Sequence, residues 1–440
     1  MFLLSGWRPV WLLLTSLLIF TTTLLARAAL GQASPPAVDE SPLIQPKALE
    51  LGDQNTIVRL QDRLRLNPED TTAYALLGLA FLQRVRETAD ASLYTQAEQA
   101  FGEALKRDPH QFEALLGQGL LALARHEFTA ALEWGERARA INPYRVQVYG
   151  IMGDAQVELG RYEEAAATIQ KMVDTRPELS SYSRVSYLRE LHGDMAGAIA
   201  AMEQAVDSGL PAHEATLWTR VQLGHLYFNS GDLENAEKIY RQALQFRPDY
   251  IYAQAGLARV QAARGRYEPA IEAYQKIVER LPLPEFAIAL GELYEATGQP
   301  AQARLQYDLV RAIQQLNSSA GMNVDLEMAL FNADHGADPE QTVAQARAAY
   351  RQRPGIYGAD VLAWALYQAG DYAEAQPYSQ KALRLGARDA LLHYHAGMIA
   401  HALNDSAAAR EHLQQALAIN PFFSVRYAPQ AQALLAELEY

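Results

Sequence analysis

The chain has 440 residues, half of them hydrophobic, with no cysteine and a formal net charge of −13. Disulfide and thiol chemistry are therefore excluded, and an acidic chain without clustered Lys and Arg is a poor match for a nucleic-acid backbone. Length alone suggests two or three globular domains.

Arg8 is the only charge in the first nine residues, and Val10 to Ala26 is apolar apart from Thr15, Ser16 and Thr21 to Thr23. Small-residue sites follow at Ala26-Arg27-Ala28 and Gly31-Gln32-Ala33. This pattern predicts a secretory signal cut after Ala28 or Ala33. Seventeen apolar residues also reach the lower limit for spanning a bilayer, so residues 1–33 are a signal peptide or a membrane anchor through residues 10–26. Arginine on both flanks leaves the orientation open. Either arrangement places the rest of the chain outside the cytoplasm, as a secreted, periplasmic or membrane-anchored protein. Residues 34–54, with Pro35, Pro36, Pro42 and Pro46, read as an exposed spacer.

Beyond the spacer one period governs the sequence. Pro109, Pro143, Pro177 and Pro211 stand thirty-four residues apart, and Pro248 and Pro282 resume the step. Proline cannot continue a helix, so each marks the end of a recurring two-helix unit. Within one unit, Leu223, Gly224 and Tyr227 share a face of a first helix, Gly231 ends it, and Ala236, Tyr240 and Ala243 form the matching stripe on a second. Small residues at Gly224 and Ala236 allow close backbone approach, while the large ones fill the space between units.

The same register runs through Gly78, Phe101 and Ala104, with a seven-residue insertion within Arg84 to Tyr94, and through Gly119, Phe128 and Ala131. It continues at Gly153, Tyr162 and Ala165, at Gly193, Ala198 and Met202, at Gly265, Tyr267 and Tyr274, and at Gly291, Gly298 and Tyr307. After a weaker unit from Met322 to Pro354 it returns at Gly370, Tyr372 and Ala375 and at Gly397, Ala409 and Pro421.

These residues resemble the tetratricopeptide repeat family, whose units carry an aromatic, Leu-Gly, an aromatic, Ala, an aromatic, Ala and Pro at these offsets. The resemblance covers about ten units from residue 70 to 421 and implies an all-α, right-handed α-solenoid with a C-terminal capping helix. The expected organisation is a first array over 55–316 with an N-terminal capping helix, a degenerate junction over 317–354, a second array over 355–421, and the cap over 422–440.

In this family a stripe of the first helix, rotated by about 120° from the packing stripe, lines a concave groove. Carried across, it comprises Tyr187, Glu190, Trp218, His225, Phe228, Tyr252, Glu292, Glu295, Phe331, Tyr357, Asp360, Trp364, Tyr367, Tyr394, Met398 and His401, with Glu285, Glu327 and Asp334 on the same stripe. Aromatic rings there suit a bound peptide, and the acids between them favour Lys or Arg in it. The family's chaperone-binding members clamp a C-terminal carboxylate with lysine and asparagine, a set absent here. The competing reading is that rings such as Trp218 and Trp364 pack against the next unit, since a one-residue shift turns a side chain by 100°.

No phosphate loop, nucleophile elbow or calcium loop is present. His393, His395, His401 and His412 fall in one unit near Asp389, Asp405 and Glu411, but His393 and His395 point apart on a helix and no HExxH occurs. They read as surface or packing histidines, with a metal site as the alternative. The sequence therefore points to a non-enzymatic scaffold with a protein or peptide partner, without cofactor, metal or nucleic acid. An assembly or substrate-presenting subunit of an enzyme complex is the other reading.

Overall fold

The computed structural model describes residues 54–438; the expected signal or anchor, and the spacer up to residue 53, lie outside the described residues. The described residues form helices without strands. α1 spans Gln54–Leu66, and α2 and α3 span Thr71–Thr88 and Leu93–Arg107. Next come α4 and α5 (Phe112–Ala124, Phe128–Ile141), α6 and α7 (Val146–Glu158, Tyr162–Thr175), and α8 and α9 (Leu179–Leu191, Met195–Asp207). α10 to α13 cover Glu214–Asn229, Leu233–Phe246, Ile251–Ala263 and Tyr267–Arg280; α14 and α15 cover Pro284–Ala296 and Pro300–Ser319. The remaining elements are α16 and α17 (Asp325–Asp334, Pro339–Gln352), α18 and α19 (Ile356–Gln368, Tyr372–Ala382), α20 and α21 (Ala390–Ala402, Ser406–Ile419) and α22 (Tyr427–Leu438). The chain is thus an all-α solenoid of helix pairs, flanked by α1 and α22.

The periodic prolines act through the residue before them. Asp108, Asn142, Arg176, Arg247, Leu281 and Asn420 each close a second helix in extended geometry, with φ between −135° and −158°. The proline ring disfavours the helical conformation at that position, so these six units end on the same backbone turn. Between the paired helices one dipeptide serves both ends. Gly193 and Gly231 take positive φ, and the aspartate after each accepts from the backbone N–H three residues on, capping the next helix.

Close packing follows the alternation of glycine and aromatic residues. A Cβ on either Gly78 or Gly117 would overlap the Phe101 ring, and Tyr240 stands in the same way between Gly224 and Gly256. One ring therefore fills the gap between its own unit and the next. We expect Gly117→Ala to destabilise the protein by roughly 1–2 kcal/mol, because overpacking outweighs the helical gain. Gly102→Ala, with no heavy atom near the new Cβ, should raise the unfolding midpoint slightly. Paired thermal melts would read the two signs.

In most solenoids each repeat meets only its neighbours. Here the chain winds back onto itself. The Asn323 N–H donates to the Arg125 carbonyl (2.8 Å), and His126 Nδ1 lies 2.8 Å from the Asn323 carbonyl, 197 residues away. The Ile356 N–H donates to the Tyr162 hydroxyl across 194 residues, and Asn420 Nδ2 donates to the Phe228 carbonyl across 192. The mid-unit turns of the pairs α4–α5, α6–α7 and α10–α11 thus meet the inter-unit loops that follow α15, α17 and α21. One superhelical turn takes between five and six units.

The seam between turns has its own core. Val157, Tyr162 and Ala165 of the lower turn pack with Ile356, Ala359, Ala387 and Leu392 of the upper. A buried ion network lies beside it. The Arg353 guanidinium bonds Glu158 Oε2 (2.8 Å) and Glu327 Oε1 (2.6 Å), and His126 Nδ1 is 3.5 Å from Glu327. Burial alone would raise the Glu327 carboxyl, but Arg353 and His126 hold it well below the usual carboxylate range.

Residues 317–354 carry the end of α15 and the pair α16–α17. α15 is extended to 20 residues and α16 shortened to 10, which explains the faint sequence pattern there.

Candidate functional site: the inner helical face

First and second helices bury different amounts of themselves. Every residue of α6 is buried, as are Pro284 to Tyr294 of α14. On α11 only Ala236, Tyr240 and Ala243 are buried. First helices therefore line the inside of the superhelix and second helices face outward.

The inner stripe expected from the spacing is assembled from these first helices. Tyr187, Trp218, Phe228, Glu292, Phe331, Asp360, Trp364 and Tyr394 are buried. Glu190, His225, Tyr252, Tyr357, Tyr367 and Met398 are half-buried, while Glu295 and His401 are exposed.

The structure brings these residues together in groups. Toward the C-terminus, Trp364 stacks on Tyr367 (4.7 Å between ring centroids) and on His395 (3.9 Å). Its indole N–H donates to Asp334 at 2.8 Å, and the Tyr427 hydroxyl donates to the same oxygen at 2.7 Å. Tyr394 stacks on Tyr427 at 4.9 Å, and His395 Nδ1 is 3.0 Å from Asp360. A middle group sets Trp218 edge-on to Tyr252 (5.0 Å), with Phe286 beyond it (6.1 Å). Phe228 lies beneath the Arg259 guanidinium (3.8 Å), and His225 meets the Tyr240 hydroxyl. Phe331 sits apart, against Tyr307 and His335. Met398 packs against the same core as Trp364 and Tyr394, and His401 is exposed.

Most inner acids find partners within the chain. Asp334 holds Trp364 and Tyr427, Asp360 holds His395, Glu327 holds Arg353, and Arg426 reaches Glu295 at 3.4 Å. Asp154 pairs with Arg184 at 2.6 Å, yet burial still pushes its carboxyl up to about 6. Arg426 and Tyr427 of the capping segment were not among the expected site residues, although Tyr427 follows Tyr394 by 33 residues, one short of the repeat length.

Glu285 differs from these acids. It is 6% exposed, its Oε2 has no hydrogen-bond partner, and burial pushes its carboxyl up to about 7. A carboxyl raised above its unfolded value contributes stability that is fully present below the unfolded pKa and is lost as pH rises through the folded one. Hence Glu285→Gln should be near neutral at pH 4 and stabilise the protein above pH 8, by on the order of 2 kcal/mol. Denaturant unfolding at the two pH values would show whether that difference appears.

The histidines of the last unit do not converge. His393 and His412 meet at 3.3 Å between their Nδ1 atoms, and burial, with His412 nearby, pushes His393 down to about 4. His395 is committed to Asp360. Among the described residues no group of three or more His, Asp or Glu is placed to hold a metal ion, and no helix is long and apolar enough to cross a membrane.

Several known proteins are similar to parts of this chain. Subunit 7 of the anaphase-promoting complex from Arabidopsis thaliana is 21% identical over 57% of this chain and 43% of its own length. Cellulose synthase 1 operon protein C from Komagataeibacter xylinus is 24% identical over 63% of this chain and 16% of its own length. The chain thus spans less than half the length of these relatives. Among solved structures, the human IFIT1 dimer with m7Gppp-AAAA aligns with a TM-score of 0.48 at 16% identity, covering 76% of this chain and 77% of that one. Two family models, both described as tetratricopeptide repeat, match residues 89–146, 152–215 and 361–422 and residues 227–289, together more than half of the 440 residues. With glycine–aromatic packing, proline-ended units and paired helices throughout, the chain belongs to the tetratricopeptide repeat family.

Proposed function

We propose that this chain is a non-enzymatic, extracytoplasmic scaffold that binds a protein or peptide through its inner helical face. The observation that carries the reading is the run of rings and carboxylates along that face, with half-buried members at Tyr252, Tyr357, Tyr367 and Met398. Aromatic side chains with restricted rotamers are efficient anchors for a polypeptide. The net charge of −13 supports a partner bearing basic as well as apolar residues. The export half of the reading rests on the apolar stretch at Val10 to Ala26 and the small residues after it.

Photo-crosslinking in the native host tests the binding half. A benzoyl-phenylalanine at Tyr357 or Tyr367 should capture one recurrent protein, whereas the same group at the exposed Tyr144 should not. Equal capture from Tyr144 would count against the inner face. N-terminal sequencing of fractionated protein tests the export half: a start at residue 29 or 34, or an intact chain in the membrane fraction, is expected. An intact chain in the cytoplasm would contradict it.

A second reading, assembly subunit of a larger complex, draws on the likeness to an anaphase-promoting complex subunit and to a cellulose synthase operon protein. Co-purification of the captured partner with a stoichiometric enzyme would favour it.

A further inference from the structure

α15 departs from the other paired second helices in length and in surface. It has 20 residues where they have 11 to 15. Its outward face is apolar. Leu305, Leu309, Ala312 and Leu316 recur at steps of four, three and four residues, so they share an arc of about 60°. The buried stripe of Ala303, Tyr307, Val310 and Gln314 lies about 160° away, and the leucines therefore point out of the core. Leu305 and Leu316 are 67% and 68% exposed. Counted from the buried alanine of each helix, the first three of these positions hold Lys238, Gln242 and Gln245 in α11 and Glu272, Lys276 and Glu279 in α13.

Leu316 also borders a hollow. The C-terminal part of α15 faces the turn between α2 and α3, where the sequence carries its insertion. Between them lies a groove of about 660 Å³, lined in part by Ala89, Ala91, Pro282, Leu283, Ile313 and Leu316. The two departures from the repeat thus build one apolar surface, with a leucine knob at one end and a groove at the other. A contiguous exposed surface of this kind marks an association site.

The stripe reads the same in both directions. Steps of four, three and four residues survive turning the helix end for end. A two-fold axis between Leu309 and Ala312 therefore lays Leu305 of a second copy against Leu316, and Leu309 against Ala312. Each copy then offers the knob that the groove of the other accepts, as an isologous contact requires. The same spacing is that of the seam between two packed helices. On one flank Asp308 would lie opposite Gln315 of the second copy, and the other flank holds the uncharged Gln306 and Ile313. Asp308 already pairs with Arg311 at 2.8 Å. No like charges oppose across the axis, which favours self-association of a chain with net charge −13.

We propose that the outward face of α15 is a homodimer interface, in which two copies pack antiparallel and Leu305 of each sits at the groove beside Leu316 of the other. This surface lies on the opposite side of the superhelix wall from the inner face and acts independently of it. A dimer presents two inner faces, which strengthens binding of a partner with two recognition segments.

Sedimentation velocity of the full chain tests the assignment, at concentrations up to about 100 µM to cover an interface below the standard size. The wild type should form a dimer that dissociates on dilution. Leu316→Glu should weaken the dimer at least about thirtyfold, with an unchanged circular dichroism spectrum and unfolding midpoint. Leu66→Glu, at an exposed leucine of α1, should leave the dimer as it is. Ala312→Cys, beside the axis, should be joined to its copy by a short bis-maleimide, and Tyr144→Cys should not. A wild-type monomer throughout the range, with or without another protein on this face, would overturn the interface. So would a dimer that survives Leu316→Glu, or equal crosslinking from the two cysteine variants.

Discussion

Replacing Arg353 with alanine is expected to destabilise the protein by about 3–5 kcal/mol, because removing one member of a buried ion network strands the others. Arg353 is 3% exposed and is the shared counter-charge of Glu158 and Glu327, themselves 8% and 4% exposed. One of these acids comes from α6 in the lower turn and the other from α16 in the upper, so the loss falls on the seam as well as on the pair. Without the guanidinium, burial pushes the Glu327 carboxyl toward its neutral form. In the wild type Glu327 is depressed, so its contribution is present above its unfolded pKa and is lost as pH falls through the folded one. The deficit in Arg353→Ala should therefore be largest at neutral and alkaline pH and shrink in acid. Arg353→Lys should recover only part of it, since an ammonium cannot reproduce the guanidinium fork toward two carboxylates. Denaturant unfolding of the three proteins between pH 4 and 8 would measure this. A deficit below about 1 kcal/mol at pH 7 would place the network among ordinary surface pairs.

The second large effect separates the seam from ordinary turn geometry. Gly193 and Gly370 both occupy mid-unit turns with positive φ, at 76° and 85°. Alanine at either position carries the left-handed penalty of about 1 kcal/mol. At Gly370 the added Cβ would meet nothing within 4 Å, whereas at Gly193 it would overlap the Gly386 carbonyl of the next superhelical turn. That neighbour is backbone and cannot rotate away, so the two turns must separate locally. Gly193→Ala should therefore cost about 3–4 kcal/mol, the left-handed penalty plus an overpacking term, and Gly370→Ala about 1 kcal/mol. Equal losses at the two sites would mean that the seam does not constrain the turn.

These two cases also show why the seam was not legible in the sequence. The turn glycine is needed at Gly265, Gly298 and Gly370, where the space beside it is open, just as at Gly160 and Gly193, where the next turn crowds it. A positive φ favours glycine in either case, so the residue type does not report what lies above. Repeat spacing, by contrast, was legible as far as Pro282, because a proline about every thirty-four residues forces the residue before it out of the helix. The inner stripe was legible as a set of positions and not as a set of contacts. Trp364 reaches Asp334 across 30 residues, and His395 reaches Asp360 across 35, so the acids are engaged by adjacent repeats. Reading one helix at a time cannot show such pairs. Glu285 stands out only after the partners of the other acids are known.

The winding of the chain onto itself underlies the ion network, the crowded turns and the inner face, and the absence of cysteine makes it accessible to labelling. Spin labels on cysteines replacing the exposed Glu163 and Arg384 would sit on opposite sides of the seam, where Arg384 now donates to the Gly160 carbonyl at 3.2 Å. A single narrow distance distribution at the short end of the measurable range is the predicted result of double electron–electron resonance. A broad distribution several times longer, as for a solenoid whose repeats touch only their neighbours, would contradict it.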